Sequence, residues 1–388
     1  LRLLRVDPVE RQVGRKSRRR SAASRWQTIG AMAPTRIMKL TDLTTRAGEW
    51  LRGIGPMSEI VISSRVRLAR NVSGYHFLSK CTRHQRTTLE HKIRDAILGA
   101  SISPKTLYVD LQDAPEVDRQ LLVERHLISK PHAQSEGARG VAISESESVS
   151  IMVNEEDHLR LQVLRSGSQL EEAWEEINEI DNKLESTLDF AFHPRFGYLT
   201  ACPTNVGTGI RVSVMLHLPA LKLTGEIEKV FRAAKDMRLA VRGLYGEGTE
   251  ALGDFYQVSN QTTLGKSEEE IISDFKGVVI PKIIEYEHHA RRTLLNNRTA
   301  ALDDKVFRAL GILRCARLMA SEETLYLLSH LRLGVNMGRV KDIDIRTVNE
   351  LFLMTQPAHL QKLIGKKIDG DVRRAARAEF IRHRLNAA

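Results

Sequence analysis

A ten-residue stretch at positions 202–211, CPTNVGTGIR, combines three chemically active features. Cys202 is a potential nucleophile, the glycines allow the backbone to approach an anion closely, and Arg211 carries a permanent positive charge. Gly-rich turns and single cysteines are common, so the stretch alone predicts no function. It does define what the rest of the chain must supply: more cations to hold an anion, and carboxylates to move a proton.

Arginines recur on the polar sides of several predicted strands, at Arg65, Arg67, Arg160, Arg211 and Arg242. A single strand arginine is usually a solvated edge residue. Five of them, each next to a glycine loop or an acidic turn, would form one cationic face if a sheet brings their strands together. Guanidinium groups bind phosphate oxygens bidentately and stay charged, so this face predicts a triphosphate site.

The usual nucleotide-binding sequences are missing from the chain. It contains no Gly-x-x-x-x-Gly-Lys-Ser/Thr loop, and neither the His-Arg-Asp nor the Asp-Phe-Gly sequence of the common protein kinases. If the chain is a kinase, arginines rather than a lysine loop hold the phosphates.

Two acidic turns supply carboxylates, NEEDH at 154–158 and GEGTE at 246–250. Either turn alone is typical of a solvated loop. Together, two such carboxylates can orient a cationic acceptor and remove its proton as it attacks. A guanidinium is such an acceptor because its pKa of about 12 or above makes it a poor nucleophile until it loses a proton.

Alternating and helical patterns place these residues on elements. EIVISSRVRLARN at 59–71 predicts a half-buried strand with its arginines on the open side, and 149–164 predicts two strands joined by the acidic turn. YLTAC at 198–202 and IRVSVMLHLP at 210–219 are predicted strands on either side of the cysteine loop. From residue 267 onward nearly every segment has helical periodicity. We therefore expect an α+β catalytic domain at 59–289 and an all-helical domain at 290–388.

Composition limits the class of protein. With 388 residues, 42% of them hydrophobic, the chain can bury a sizeable core and fold as two domains. It has no run of about 18 apolar residues, so we expect no membrane span. Its three widely spaced cysteines suit a reducing cytoplasm better than a disulfide framework or a zinc site.

The net charge of +11 is unevenly distributed. Residues 1–31 hold nine Lys/Arg and two Asp/Glu, which leaves little excess for the rest and makes a nucleic-acid partner unattractive. We expect this basic extension to be disordered and to lie outside the fold. A nucleic-acid-binding arm, a transit-like segment, and translated sequence upstream of a start at Met32 or Met38 are the open interpretations.

Four segments together resemble the signature blocks of the phosphagen (guanidino) kinases, in the family's order and at compatible spacings. They are SSRVRLAR at 63–70, NEEDHLR at 154–160, CPTNVGTGIR at 202–211 and RGLYGEGTE at 242–250. The resemblance covers residues 59–265. It implies an antiparallel sheet flanked by helices and transfer of phosphate from ATP, with Mg²⁺, to a guanidino nitrogen.

Within this family the chain is similar to the bacterial protein-arginine kinases. Small-metabolite members carry a helical domain before the first block that covers the active site; we expect that domain to be absent here, because the helical domain follows the last block instead. An uncovered site suits an arginine presented by another protein. The resemblance also implies a stress response, an activator protein and delivery of marked proteins to a ClpC–ClpP type protease. The apolar helical C-terminal domain predicts a homodimer.

The matching motifs imply roles residue by residue. Glu156 and Glu247 would bind and deprotonate the acceptor guanidinium, with Cys202 beside it. No metal ligand is expected on the protein itself, because Mg²⁺ would be bound through the nucleotide. The residues implied to hold ATP are Ser63, Ser64, Arg65, Val66, Arg67, His126, Arg160, Arg211, Val212, Ser213, Val214, Met215, Arg242, Gly243, Leu244, Tyr245, Gly246 and Glu247.

Two positions depart from the family patterns. Thr263 stands where small-metabolite relatives have an arginine, a loss that protein-arginine kinases share. Those kinases have a phosphoarginine pocket at an Arg-Asp-x-x-Arg-Ala motif, and here the first arginine is replaced by glycine. We therefore expect a weakened pocket formed by Gly370, Asp371, Val372, Arg373, Arg374 and Ala375.

Two alternatives to a protein-arginine kinase remain open. The missing helical domain argues against a kinase of free arginine or another small guanidine. Glu156, Glu247 and Cys202 argue against a catalytically idle nucleotide-binding adaptor that holds a partner on its basic surface.

Overall fold

The structure, a computed structural model, describes residues 40–45, 47–244 and 252–386. It confirms the predicted fold class: a large antiparallel sheet is flanked by helices, and a helical part follows. The predicted basic extension at 1–31 lies outside the described residues, as does the segment 245–251 with Glu247.

Ten strands are formed by the described residues, eight of them in one sheet. They are β1 (Val61–Arg70), β2 (Thr106–Asp110), β3 (Gly140–Ser144), β4 (Val149–Val153), β5 (Leu159–Ser166), β6 (Phe192–His193), β7 (Gly197–Tyr198), β8 (Ile210–His217), β9 (Leu239–Gly243) and β10 (Phe255–Asn260). The order in the large sheet is β2-β3-β4-β5-β1-β8-β10-β9, with every neighbouring pair antiparallel. Strand β1 is therefore central, between the strands that follow the acidic turn and the cysteine loop.

Within the described residues, eight α-helices accompany the sheet strands. They are α1 (Arg83–Gly99), α2 (Glu116–Glu124), α3 (Lys130–Gln134), α4 (Leu170–Glu185), α5 (Pro219–Leu223), α6 (Ile227–Asp236), α7 (Glu268–Asp274) and α8 (Ile280–Asn297). Helix α4 lies against β1 and β5 and buries Ile177 and Leu184. The apolar side of β1, with Val66 and Leu68, is also fully buried, so this side of the sheet is core.

The described helical C-terminal part consists of α9 (Thr299–Cys315), α10 (Ser321–Asn336), α11 (Ile345–Met354), α12 (Pro357–Ile364) and α13 (Gly370–Asn386). Helix α12 packs on α2. The Glu124 carboxylate at the end of α2 accepts hydrogen bonds from the backbone N–H groups of Ala358 (2.8 Å) and His359 (3.1 Å) in the first turn of α12. It thereby satisfies backbone donors that have no partner within the helix.

One predicted strand is wrong for most of its length. Only Gly197–Tyr198 is extended in a ladder, and the following residues leave it. They are bound instead to polar side chains: Asn71 Nδ2 donates to the carbonyl of Leu199 at 3.0 Å, and Ala201 N donates to Asp157 Oδ1 at 2.6 Å. The sequence YLTAC does not indicate these contacts, because Asn71 and Asp157 are distant from it along the chain.

No helix within the described part of the chain combines the length and the apolar character needed to cross a membrane.

Candidate functional site

The register of the sheet places the five predicted arginines on one face. Arg65 lies opposite Ser213, Arg67 opposite Arg211, and Ala69 opposite Arg160. Arg242 lies opposite Gln257, which in turn lies opposite Met215 on β8. Residues paired across antiparallel strands point to the same side. We call Arg65, Arg67, Arg160, Arg211 and Arg242 the arginine face; its formation confirms that prediction.

Neutral oxygens orient two of these side chains. Arg65 donates from Nη2 to Gln257 Oε1 at 2.6 Å and from Nε to Ser213 Oγ at 3.3 Å. Arg211 Nη2 donates to Ser259 Oγ at 3.2 Å. These contacts fix the guanidinium planes without neutralising their charge.

Arg67 lies at the centre of this face, between Arg160 and Arg211 on the neighbouring strands. Its Nε is buried and has no hydrogen-bond partner in the part of the chain that the structure describes. Within the same residues, neither Arg65 nor Arg67 has a carboxylate within 4.0 Å. Among the described residues these two side chains therefore form no ion pair, although the charge of Glu155 acts on Arg67 from farther away.

The pKa values show the cost of this arrangement. Burial, together with repulsion from the neighbouring Arg211, Arg160 and Arg242, lowers the pKa of the Arg65 guanidinium to about 10. Burial followed by repulsion from Arg65, Arg160 and Arg211 holds the pKa of Arg67 well below its ordinary value. A multiply charged anion would relieve this repulsion, because an opposite charge favours the charged form.

The acidic turn uses its two glutamates differently. Glu155 is buried and bonded to Arg160 Nη1 (2.7 Å) and to Ser129 Oγ (2.6 Å). Burial alone would raise the pKa of Glu155, but Arg160 and Ser129 outweigh it and the pKa is lowered. The side chain of Glu156 is 47% exposed and touches Arg160 Nη2 at 2.9 Å. Glu155 thus fixes Arg160, and Glu156 presents a carboxylate to solvent beside the arginine face.

A buried aspartate joins the acidic turn to the cysteine loop. Asp157 is fully buried, and its Oδ1 accepts hydrogen bonds from Asn71 Nδ2 (2.7 Å) and from Ala201 N (2.6 Å). Glu156 directly precedes Asp157, and Cys202 directly follows Ala201. This single carboxylate therefore ties the loop that carries the predicted thiol to the turn that carries the predicted base.

The cysteine loop is held by close contacts around glycine. Gly207 has a φ of 112°, and a Cβ there would lie 2.5 Å from the carbonyl oxygen of Thr263. Thr263 Oγ1 donates to the carbonyls of Thr204 (2.9 Å) and Val206 (2.8 Å). The threonine that replaces a family arginine therefore has a role of its own, as a loop anchor. Cys202 Sγ lies 3.0 Å from Thr204 Oγ1, at the start of the anchored segment.

A pocket lies at one end of the arginine face. Its lining residues are Trp50, Ser63, Arg65, His126, Leu164, Ser213, Met215 and Gln257. The backbone of His126 has a φ of 58°, and the Trp50 and His126 rings meet edge to face at 4.5 Å between centroids. Burial and, after it, the charges of Arg65 and Lys130 together lower the pKa of His126 to about 3, so this imidazole is neutral.

Some predicted nucleotide residues lie elsewhere. Ser64, Val66, Val212 and Val214 point to the opposite side of the sheet, where all four are buried. These four side chains therefore lie off the arginine face, because a strand can present only alternate residues to one face. The assignment of the four residues to nucleotide binding stays a prediction. Leu244 is also buried, and Gly243 ends β9. Tyr245, Gly246 and Glu247 lie outside the described residues.

The C-terminal motif is exposed on the first turns of α13, which begins at Gly370. Arg374 Nη1 approaches Asp371 Oδ1 at 3.4 Å, and nothing lies within 4 Å of a Cβ built on Gly370. The degraded phosphoarginine pocket stays a prediction.

Three lining residues of the pocket were not predicted from the sequence: Trp50, Leu164 and Gln257. Leu164 lies opposite Arg65, on the side that the alternation of β5 indicates. Gln257 follows the same alternation as Ser259 on β10, so the period of that strand would have found it. Trp50 precedes the first strand, in a 3-10 turn at Glu49–Leu51, and no motif marks it.

Among the described residues, no group of three or more His, Cys, Asp or Glu side chains is arranged to hold a metal ion. The donor chemistry beside the face is cationic, which suits phosphate oxygens rather than a bare cation.

Family models match almost the whole region beyond residue 88. Residues 88–290 match the C-terminal catalytic domain of the ATP:guanido phosphotransferases. Residues 299–388 match the C-terminal domain of the protein-arginine kinase McsB.

Curated relatives are similar over their full length. A protein-arginine kinase of Halothermothrix orenii is 47% identical over 350 residues, covering 90% of this chain and 100% of the relative. One of Symbiobacterium thermophilum is 48% identical over 355 residues, with the same coverage.

Solved structures agree on the fold. Lombricine kinase gives a TM-score of 0.54 at 28% identity and covers 61% of this chain and 68% of its own. The duplicated taurocyamine kinase of Schistosoma mansoni with bound transition state analog components gives 0.56 at 29% identity; 66% of this chain matches 36% of that one.

Proposed function

This chain belongs to the ATP:guanido phosphotransferase family, and on that premise we propose that it is a protein-arginine kinase. It transfers the γ-phosphate of ATP to a guanidino nitrogen of arginine side chains in proteins. The observation that carries the proposal is the arginine face: among the described residues its Arg65 and Arg67 have no carboxylate within 4.0 Å, and an exposed glutamate lies beside the face.

The arginine face is proposed to bind the triphosphate. Arg65 and Arg67 are two positions apart on β1, and Arg211 lies opposite Arg67 on β8. Their guanidinium groups can therefore contact different phosphate oxygens at once. The pocket beside Ser63 and Met215 would receive the base. Mg²⁺ would be bound through the phosphate oxygens and would neutralise charge during transfer.

The acidic turn is proposed to bind and activate the acceptor. Glu156 already contacts a guanidinium, that of Arg160, at hydrogen-bonding distance, so its position suits a second one. It would accept a proton as the guanidino nitrogen forms a bond to phosphorus and the bond to ADP breaks. Glu247 is proposed as the second carboxylate, on its motif alone. Cys202 would contact the same acceptor, because Asp157 holds its loop against the turn.

The wider setting is also a proposal and rests on the family resemblance. Phosphorylated proteins would be delivered to a ClpC–ClpP type protease in the cytoplasm during stress, with an activator protein controlling the kinase. The helical C-terminal part, which matches the McsB C-terminal model, would form a homodimer and bind phosphoarginine.

One experiment separates the three candidate functions. The protein is incubated with MgATP and either a basic substrate protein or free arginine, and acid-labile phosphate on arginine is measured by mass spectrometry. We expect phosphoarginine in the substrate protein. Phosphorylation of free arginine alone would support a small-guanidine kinase, and nucleotide binding without any transfer would support the idle adaptor.

A further inference from the structure

Trp50 is a buried aromatic residue with an unsatisfied hydrogen-bond donor. Its side chain is 4% exposed, and among the residues that the structure describes no acceptor lies within hydrogen-bonding distance of Nε1. A buried tryptophan usually finds a partner for this N–H group, because an unpaired donor away from water is costly. Trp50 therefore differs from an ordinary core residue.

The position of Trp50 is fixed by its neighbours. Glu49 Oε2 accepts from Arg52 at 2.8 Å, and its Oε1 accepts from Ser166 N at 3.4 Å. Gly53 N donates to Ser166 Oγ at 3.0 Å. The segment before β1 is thus attached to the end of β5, which holds the indole at the pocket rather than leaving it on a free arm.

The indole also lines the pocket at the end of the arginine face. It shares that pocket with Ser63, Met215 and the neutral His126, whose ring it meets edge to face. An aromatic wall, a flexible thioether and an unpaired N–H donor are the features that bind a flat heterocycle with ring nitrogens.

We propose that Trp50 is a specificity-determining residue for the nucleotide base, with its indole N–H donating to a ring nitrogen of the purine. This inference rests on the proposed function, since it requires ATP on the arginine face. It gives the segment before the first strand a part in substrate binding, although the phosphates are held entirely by the sheet.

The test compares ligands with and without a base. Trp50→Phe keeps an aromatic ring and removes the N–H donor, and Trp174→Phe, a partly exposed position on α4, is the matched control. Binding of MgATP, MgADP and inorganic tripolyphosphate is measured by calorimetry on the full chain. Trp50→Phe should weaken both nucleotides by about three- to tenfold, the usual net effect of one neutral hydrogen bond, and leave tripolyphosphate binding unchanged.

Fluorescence supplies a second measurement on the same variants. MgATP should change the tryptophan emission of the wild type and of Trp174→Phe, and this change should be lost in Trp50→Phe. Wild-type nucleotide affinity in Trp50→Phe would overturn the inference while leaving the proposed function intact. If the wild type bound no nucleotide, the proposed function would fail and the inference with it.

A second variant, Trp50→Tyr, covers the case in which Trp50→Phe does not fold. If Trp50→Phe lost tripolyphosphate as well as ATP, Trp50→Tyr is measured in the same way. Loss of both ligands in the tyrosine variant would contradict the proposal, because Trp50 would then support the fold rather than the base. Selective loss of nucleotide binding in either variant would support it.

Discussion

Two groups of buried or half-buried arginines have opposite surroundings. On the arginine face, Arg65 and Arg67 meet neutral oxygens or other arginines. In the buried junction, which we define as Glu124, Arg125, Glu147 and His359, Arg125 donates to both carboxylate oxygens of Glu147 at 2.6 and 2.8 Å. Its Nη1 also lies 3.0 Å from His359 Nε2.

The polar side chains of the buried junction bond to one another. Burial lowers the pKa of His359 despite its bond to Glu124, which agrees with a neutral ring that accepts from Arg125 and donates from Nδ1 to Glu124 Oε2 at 2.8 Å. Every charge there has a partner, and the contacts join α2 to α12. Arg125 is paired with a carboxylate and stabilises the fold, whereas Arg65 and Arg67 have no such partner among the described residues and are placed to bind a ligand. The partner of each arginine thus indicates its role.

The largest expected effect concerns the exposed glutamate beside the arginine face. Glu156→Gln keeps the shape of the side chain and removes the base, so turnover should fall by about 10²–10⁴-fold, the usual range for a general acid–base group. MgATP affinity should be retained, because Glu156 is directed to the acceptor. Steady-state kinetics with a substrate protein and calorimetry with MgATP measure the two quantities.

The matched control is Glu145→Gln. That glutamate is exposed and pairs with Lys105 at 3.0 Å on the far edge of the sheet, so its loss should leave turnover unchanged. Near-wild-type turnover in Glu156→Gln would remove the acidic turn from the mechanism.

A smaller effect is expected at the cysteine loop. Cys202→Ser replaces the thiol beside the proposed acceptor by a smaller hydroxyl group. Turnover should fall by roughly ten- to a hundredfold, the scale of a small misplacement of reacting groups. MgATP binding should change little. Alkylation should reproduce the loss, with MgATP and substrate protecting together.

Cys81 and Cys315 are the controls for the thiol. Both are free, and neither lies on the arginine face. Sensitivity of either one, with an insensitive Cys202, would place the acceptor elsewhere.

The smallest expected effect is a change in the free energy of unfolding with pH, caused by buried histidines. Burial lowers the pKa of His132 to about 4 and that of His217 well below its ordinary value, so both are neutral when folded. The unfolded chain takes up protons below a pKa of about 6.5, whereas the folded chain does not. Stability is therefore fully present above about pH 6.5 and is lost as the pH falls toward 4. Thermal unfolding at pH 7 and pH 5 should show a lower Tm at pH 5; equal values would contradict the assignment.

Much of the fold and part of the site follow from local patterns. Alternation in β1, β5 and β8 predicts which arginines share a face, because the period of a strand fixes the side of each residue. The same rule, applied strictly, excludes Val66, Val212 and Val214 from that face. The residues that the motif implies form unbroken runs along the strands, which disregards this alternation.

Other features depend on contacts between distant segments, which no local pattern reveals. The bond from Ala201 to Asp157 spans 44 positions, and Thr263 reaches Thr204 across 59. Trp50 approaches His126 only because the segment before β1 is attached to β5. These contacts place the predicted groups together, and only the folded chain shows them.

The contrast between the two arginine groups is tested most directly by thermal unfolding of Arg67→Met and Arg125→Met, each with and without MgATP. Arg125→Met removes the bidentate bond to the buried Glu147 carboxylate, at a cost of about 3–5 kcal/mol, so its Tm should fall by several degrees while MgATP still raises it. Arg67→Met removes repulsion, so its Tm should equal or exceed that of the wild type. Its stabilisation by MgATP should be reduced, because the affinity falls about ten- to 150-fold. A fall in Tm for Arg67→Met like that of Arg125→Met, with wild-type stabilisation by MgATP, would contradict the account.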